Sequence, residues 1–152
     1  MSTLQERVQQ DLLDAVRKGD TRRRDVLRLL RSAFAYEQIA KGHPLTEEEA
    51  IAVTQREVKQ RRESIEAFRK GGREDLATKE EQELAILLGY LPKQLTREEV
   101  VDLARRAIQE TGAKGPADKG KVMGRLMPQV RGKAEGALVS AIVSELLEGK
   151  TP

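Results

Sequence analysis

Apolar positions recur along this chain every three or four residues, and no stretch alternates apolar and polar side chains in the manner of a strand. Leu4, Val8, Leu12, Leu13 and Val16 predict a first helix, opened by the Thr3/Glu6 capping-box spacing and closed at Lys18-Gly19. Asp20 is placed to cap a second helix, with Val26, Leu27, Leu30, Ala33, Phe34 and Ile39 as its stripe and Gly42 as its stop. After His43-Pro44, Thr46 and Glu49 repeat the box. Val53, Val58, Ile65 and Phe68 then mark a long third helix ending at Gly71-Gly72. A fourth runs from about Glu74 to Leu88, although Thr78/Glu81 offers a second cap spacing inside it.

Tyr90-Leu91-Pro92 breaks the pattern, because proline disfavours helix in the residue before it. This places a boundary between subdomains 1–92 and 93–152. Thr96/Glu99 opens a fifth helix with Val100, Leu103, Ala104, Ala107 and Ile108, stopped at Gly112. The loop 113–116 leads to a sixth with Val122, Met123 and Leu126, which Pro128 is expected to end or kink. A last helix, from about Glu135 to Leu147, carries Leu138, Val139, Ile142, Val143 and Leu146 on one side. The expected fold is all-α, with two helical subdomains of about four helices and then about three.

Composition narrows the chemistry. Aromatics are only 3% of the chain, so the core must be aliphatic, and 35% charged residues suit helices with solvated outer faces. There is no cysteine, which excludes thiol catalysis and cysteine-based metal sites. The first residues show no secretory h-region, and no run is apolar enough to span a membrane, so a soluble cytoplasmic protein is expected. The single histidine, His43, sits in a loop. No nucleophile elbow, Walker loop or metal-ligand spacing appears, so no catalytic residue, metal or cofactor is assigned.

Charge is distributed unevenly. Residues 113–134 hold six bases against the single Asp118, a net +5 in a chain whose total is +3. Two further basic runs, 17–31 and 56–73, read as solvated faces, with Glu57–Arg61 and Glu66–Lys70 spaced for i,i+4 ion pairs. The segment 119–136, KGKVMGRLMPQVRGKAEG, differs from both. Gly120 and Gly124 share a face of the sixth helix, and a mid-helix glycine costs about 1 kcal/mol against alanine. Two reasons remain open: close approach of another helix, or close approach of a sugar-phosphate backbone. Lys119, Lys121 and Arg125 would border that bare surface. Arg131 and Lys133 would flank a basic turn shaped by Gly132, and the free backbone N–H groups at the start of the last helix, with Lys133 beside them, could hold a phosphate.

Three segments carry a resemblance: EVKQRRESIEAFRKGGREDLA (57–77), YLPKQL (90–95) and GKVMGRLMPQVRGKAEG (120–136). In these and in their order the chain resembles the YqeY family, which is related to the C-terminal tail domain found in the glutamine-dependent tRNA amidotransferase. Glu135 stands where that family more often has Asp. The resemblance implies an all-α fold of two subdomains and a non-catalytic tRNA- or RNA-binding accessory role. Its site would be Lys119, Gly120, Lys121, Gly124, Arg125, Arg131, Gly132 and Lys133. The alternatives are an adaptor docking on an amidotransferase or aminoacyl-tRNA synthetase, and an auxiliary of a carbon–nitrogen ligase using glutamine as amide donor.

Overall fold

Three threonines set the architecture. Each of Thr3, Thr46 and Thr96 accepts a hydrogen bond from the backbone N–H of the glutamate three residues on, whose carboxylate returns to the threonine N–H. These reciprocal caps satisfy donors that a helix start leaves orphaned. They open α1 (Leu4–Lys18), α3 (Glu47–Lys70) and α5 (Arg97–Thr111). The helices that follow are α2 (Thr21–Lys41), α4 (Glu74–Leu88) and α6 (Lys119–Val130), with α7 (Gly136–Leu147) last and a short 3₁₀ turn (Pro116–Asp118) ahead of α6. The computed structural model describes residues 2–151 and contains no strand among them.

α1 ends on Gly19 at φ 68°, a conformation that carries little penalty without a side chain, and Asp20 N–H then reaches back to Ala15 O at 2.9 Å. α4 starts at Glu74 with no side-chain cap, so Thr78 and Glu81 lie inside the helix and do not open it. Pro128 neither ends nor visibly interrupts α6, which continues to Val130. The missing proline N–H leaves the Gly124 carbonyl without its usual donor, a loss tolerable on an exposed helix side where water reaches it.

The chain forms two compact units, Met1–Pro92 and Lys93–Pro152. In the first, α1–α2 and α3–α4 pack as hairpins around Leu12, Leu27, Leu30, Phe34, Val53 and Leu87. Polar groups tie its edges. Tyr90 Oη donates to Asp11 Oδ2 at 2.5 Å, Arg23 pairs with the same carboxylate at 3.2 Å, and the Arg7 guanidinium sits 5.2 Å from the Tyr90 ring centroid. Leu4 N–H donates to Glu47 Oε1 at 2.8 Å, so the start of α1 is held by a carboxylate from the first turn of α3. Leu13, Val16 and Ile39, counted in the apolar stripes by spacing, are exposed instead, Ile39 at 79%. They lie at the edges of their stripes, beyond the reach of the neighbouring helices.

The second unit is a three-helix cluster around Val100, Ala104, Val122, Leu126, Val139 and Ile142, all fully buried. One backbone and one side-chain bond close it: Leu95 N–H donates to Lys133 O at 2.8 Å, and Gln94 Nε2 donates to Gly132 O at 2.9 Å.

Candidate nucleic-acid interface

α6 buries Val122, Leu126 and Val130, which recur every four residues and therefore share one side. The opposite side carries Gly120, Lys121, Gly124, Arg125 and Pro128, all exposed. A Cβ built on Gly120 or Gly124 would meet no atom within 4 Å. Among the described residues no helix packs against these glycines, which removes close packing within the unit as their reason. Lys119 is half-buried at the head of the helix. Arg125 reaches across to α5, its Nε 2.8 Å from Glu110 Oε2, while remaining largely exposed. The acid of the segment, Asp118, accepts from Lys114 N–H at 2.9 Å and so braces the loop before α6.

The turn after α6 is closed by hydrogen bonds of its own backbone. Gly132 is buried at φ 79°, and its carbonyl and that of Lys133 are both spent on the Gln94-Leu95 tie. The Lys133 and Ala134 N–H groups point inward to Val130 O, at 2.8 and 3.1 Å. Those two donors are spent on the turn, and the N–H groups next to Lys133 that no side chain caps are those of the first turn of α7, behind Glu135. Gly132 therefore shapes the fold, and only the Lys133 and Arg131 side chains project outward here. The eight sequence-derived residues thus divide: Gly120, Lys121, Gly124 and Arg125 form one surface, Arg131 and Lys133 lie past its end, Lys119 is partly withdrawn, and Gly132 is internal.

Spacing could not reveal the Arg125–Glu110 pair, because it joins two helices through residues fifteen apart in sequence. Arg106 precedes Glu110 by one turn on α5 and adds an exposed base to that flank; the Arg105-Arg106 doublet is its signal. The basic run of α3 is largely neutralised. Arg56 pairs with Glu37 at 2.7 Å, Arg61 with Glu80 and Glu83, Arg69 with Glu74 and Glu81, and Arg73 with Asp75. Of the two pairs expected within α3, Lys70–Glu66 forms at 3.1 Å, whereas Arg61 turns away from Glu57 toward α4. His43 is exposed, with Nδ1 2.8 Å from Pro44 O. No cluster of potential metal ligands occurs among the described residues, and none of their helices is long and apolar enough to cross a membrane.

These features define a class: an all-helical protein of two units, the second presenting a cationic helix face opened by two glycines. The family model for YqeY-like proteins matches residues 5–147, and the chain belongs to that family. A curated relative, altered inheritance of mitochondria protein 41, mitochondrial, from Pyrenophora tritici-repentis, is 31% identical over 148 residues, covering 95% of this chain and 81% of the relative. A second, the uncharacterized protein C22F3.15 of Schizosaccharomyces pombe, is 32% identical over 90 residues, covering 59% of this chain and 73% of the relative.

Proposed function

We propose that this chain is a non-catalytic RNA-binding module whose α6 face lies against the backbone of a structured RNA such as tRNA. The observation that carries the reading is the open surface at Gly120 and Gly124, bordered by exposed Lys121 and Arg125. Exposed mid-helix glycines lower helix stability and give nothing back to this fold. A sugar-phosphate backbone drawn close to the helix by two cations supplies a reason for them. The four aromatic residues, Phe34, Tyr36, Phe68 and Tyr90, all lie in the first unit. The α6 face has no stacking platform, so it would read shape and phosphate position rather than unstacked bases.

The test is a titration with folded tRNA and with a plain RNA duplex of equal length, across salt concentrations. Tight, tRNA-preferring binding supports the module. Lys121→Gln and Arg125→Gln should each lower the salt slope by about one phosphate contact. Glutamine is used because a glutamate at 125 would face Glu110. Weak binding, equal for both RNAs, would transfer the same face to the second reading, an adaptor whose bare glycines accept a helix from an amidotransferase or aminoacyl-tRNA synthetase. The open glycines favour that reading too, since close helix packing there needs a partner from outside the chain.

A further inference from the structure

Among the described residues, the five large apolar side chains most open to water are Leu13, Val16, Leu29, Tyr36 and Ile39, between 49% and 79% exposed, and all belong to the α1–α2 hairpin. Single exposed apolar residues need no explanation, but a set gathered on one element does. Leu13 and Val16 continue the flank of α1 that begins at Gln9, at i, i+4, i+7 spacing. Arg31 of α2 donates to Gln9 Oε1 at 3.3 Å, which fixes the flank of α2 lying alongside. That flank carries Arg24, Arg28 and Arg31 at the same spacing, and around the helix from it come Ile39, Tyr36 and Leu29. Ile39 and Tyr36 thus follow Arg28 around α2, whereas Leu29 borders a groove with Glu57, Arg61 and Glu80 of α3 and α4.

The charge of the hairpin is compensated only in part: Lys18 pairs with Asp14, Arg23 with Asp11 and Arg24 with Asp25. The bases of α3 named above are matched by carboxylates of α2, α3 and α4. In contrast, the guanidinium groups of Arg17, Arg22 and Arg28 have no ion-pair or hydrogen-bond partner among the described residues. A complementary surface must bring apolar contact and negative charge at once. We propose that the α1–α2 hairpin is a docking surface for an acidic amphipathic helix of another protein, its apolar stripe on Tyr36 and Ile39 and its carboxylates on Arg28. RNA offers the charge, but its backbone gives Ile39 and Tyr36 nothing to bury against. This inference is independent of the RNA face on α6.

The experiment uses the full chain and fluorescently labelled helical peptides of about 20 residues, long enough to hold a helix. One peptide has a leucine stripe flanked by glutamates, one has the same stripe flanked by lysines, and one has the glutamate composition with the stripe scrambled. Anisotropy should show the acidic stripe binding at least tenfold more tightly than either control. Arg28→Gln should weaken it and flatten its salt dependence. Tyr36→Ser with Ile39→Ser should weaken it at least fivefold, leaving the circular-dichroism spectrum and the affinity for tRNA unchanged. Equal binding of the three peptides would overturn the proposal. So would a preference for phosphatidylglycerol vesicles or tRNA that needs Arg28 but ignores the Tyr36/Ile39 pair. A concentration-dependent dimer abolished by Tyr36→Ser with Ile39→Ser would overturn it too, by assigning the patch to a second copy of the chain.

Discussion

Replacing Gly124 by alanine separates a cost of the fold from a requirement of binding. Gly124 lies near the middle of α6, away from both ends, so the full difference in helix propensity applies, about 1 kcal/mol in favour of alanine. Beyond the backbone of its own helix and its chain neighbours the new methyl meets nothing within 4 Å, so neither a clash nor added burial alters that figure. A gain of about 1 kcal/mol raises the melting temperature by roughly 4–8 °C if the second unit melts alone, or about 2–4 °C if the chain melts as one. On an RNA held at van der Waals distance the same methyl is overpacking, at about 1–2 kcal/mol, or roughly five- to thirtyfold in Kd. Thermal circular dichroism and a tRNA titration on one preparation read both effects. Higher stability with weaker binding is the expected pair. Higher stability with unchanged affinity would refute the close-approach argument, and lower stability would show that Gly124 serves the fold after all.

Three further outcomes follow from the first unit. Arg61→Ala strips the cation from between Glu80 and Glu83, all three largely withdrawn from solvent, and should cost about 2 kcal/mol in urea unfolding, less than a fully buried pair would. Tyr90→Phe removes a charge-assisted bond to Asp11 and should cost about 1.5 kcal/mol. Burial first, and Asp11 second, raise the Tyr90 pKa, so the folded chain keeps its proton longer than the unfolded one. Stability should therefore fall as pH rises past about 10, and this alkaline fall should shrink in the phenylalanine variant. Glu49 is held near a pKa of about 2, first by the Thr46 N–H and then by Lys41. Its contribution is complete above about pH 4.5 and is lost as pH falls toward 2. Glu49→Gln should flatten the acid limb of a stability profile over that window.

What can be read from the chain is what neighbours in sequence decide. The Thr-x-x-Glu starts at 3, 46 and 96, the glycine stops at 19, 42 and 112, and the break at Pro92 involve groups a few residues apart. The 3₁₀ turn at Pro116–Asp118 has no apolar period to betray it. Spacing puts Ile39 inward because period alone cannot say how far a neighbouring helix reaches. On α6 the shared face of Gly120 and Gly124 is legible, but whether it is packed or open is not, since that depends on where α5 and α7 lie. The engagement of the Gly132 and Lys133 carbonyls is hidden for the same reason: their donors are Gln94 and Leu95, thirty-eight residues earlier.

The placement of the three reciprocal caps has a consequence for synthesis on the ribosome. They sit on α1, α3 and α5, the first member of each of the hairpins α1–α2, α3–α4 and α5–α6. Chains emerge N-terminus first at about 5–20 residues per second, whereas a helix forms within about a microsecond. Each leading helix thus has its first turn set by its own four residues long before its partner emerges. The followers α4 and α6, which lack a side-chain cap, arrive against a surface already in phase. In time as well as in space, the hairpins α3–α4 and α5–α6 are assembled as template and follower, whereas α2 carries its own cap in Asp20.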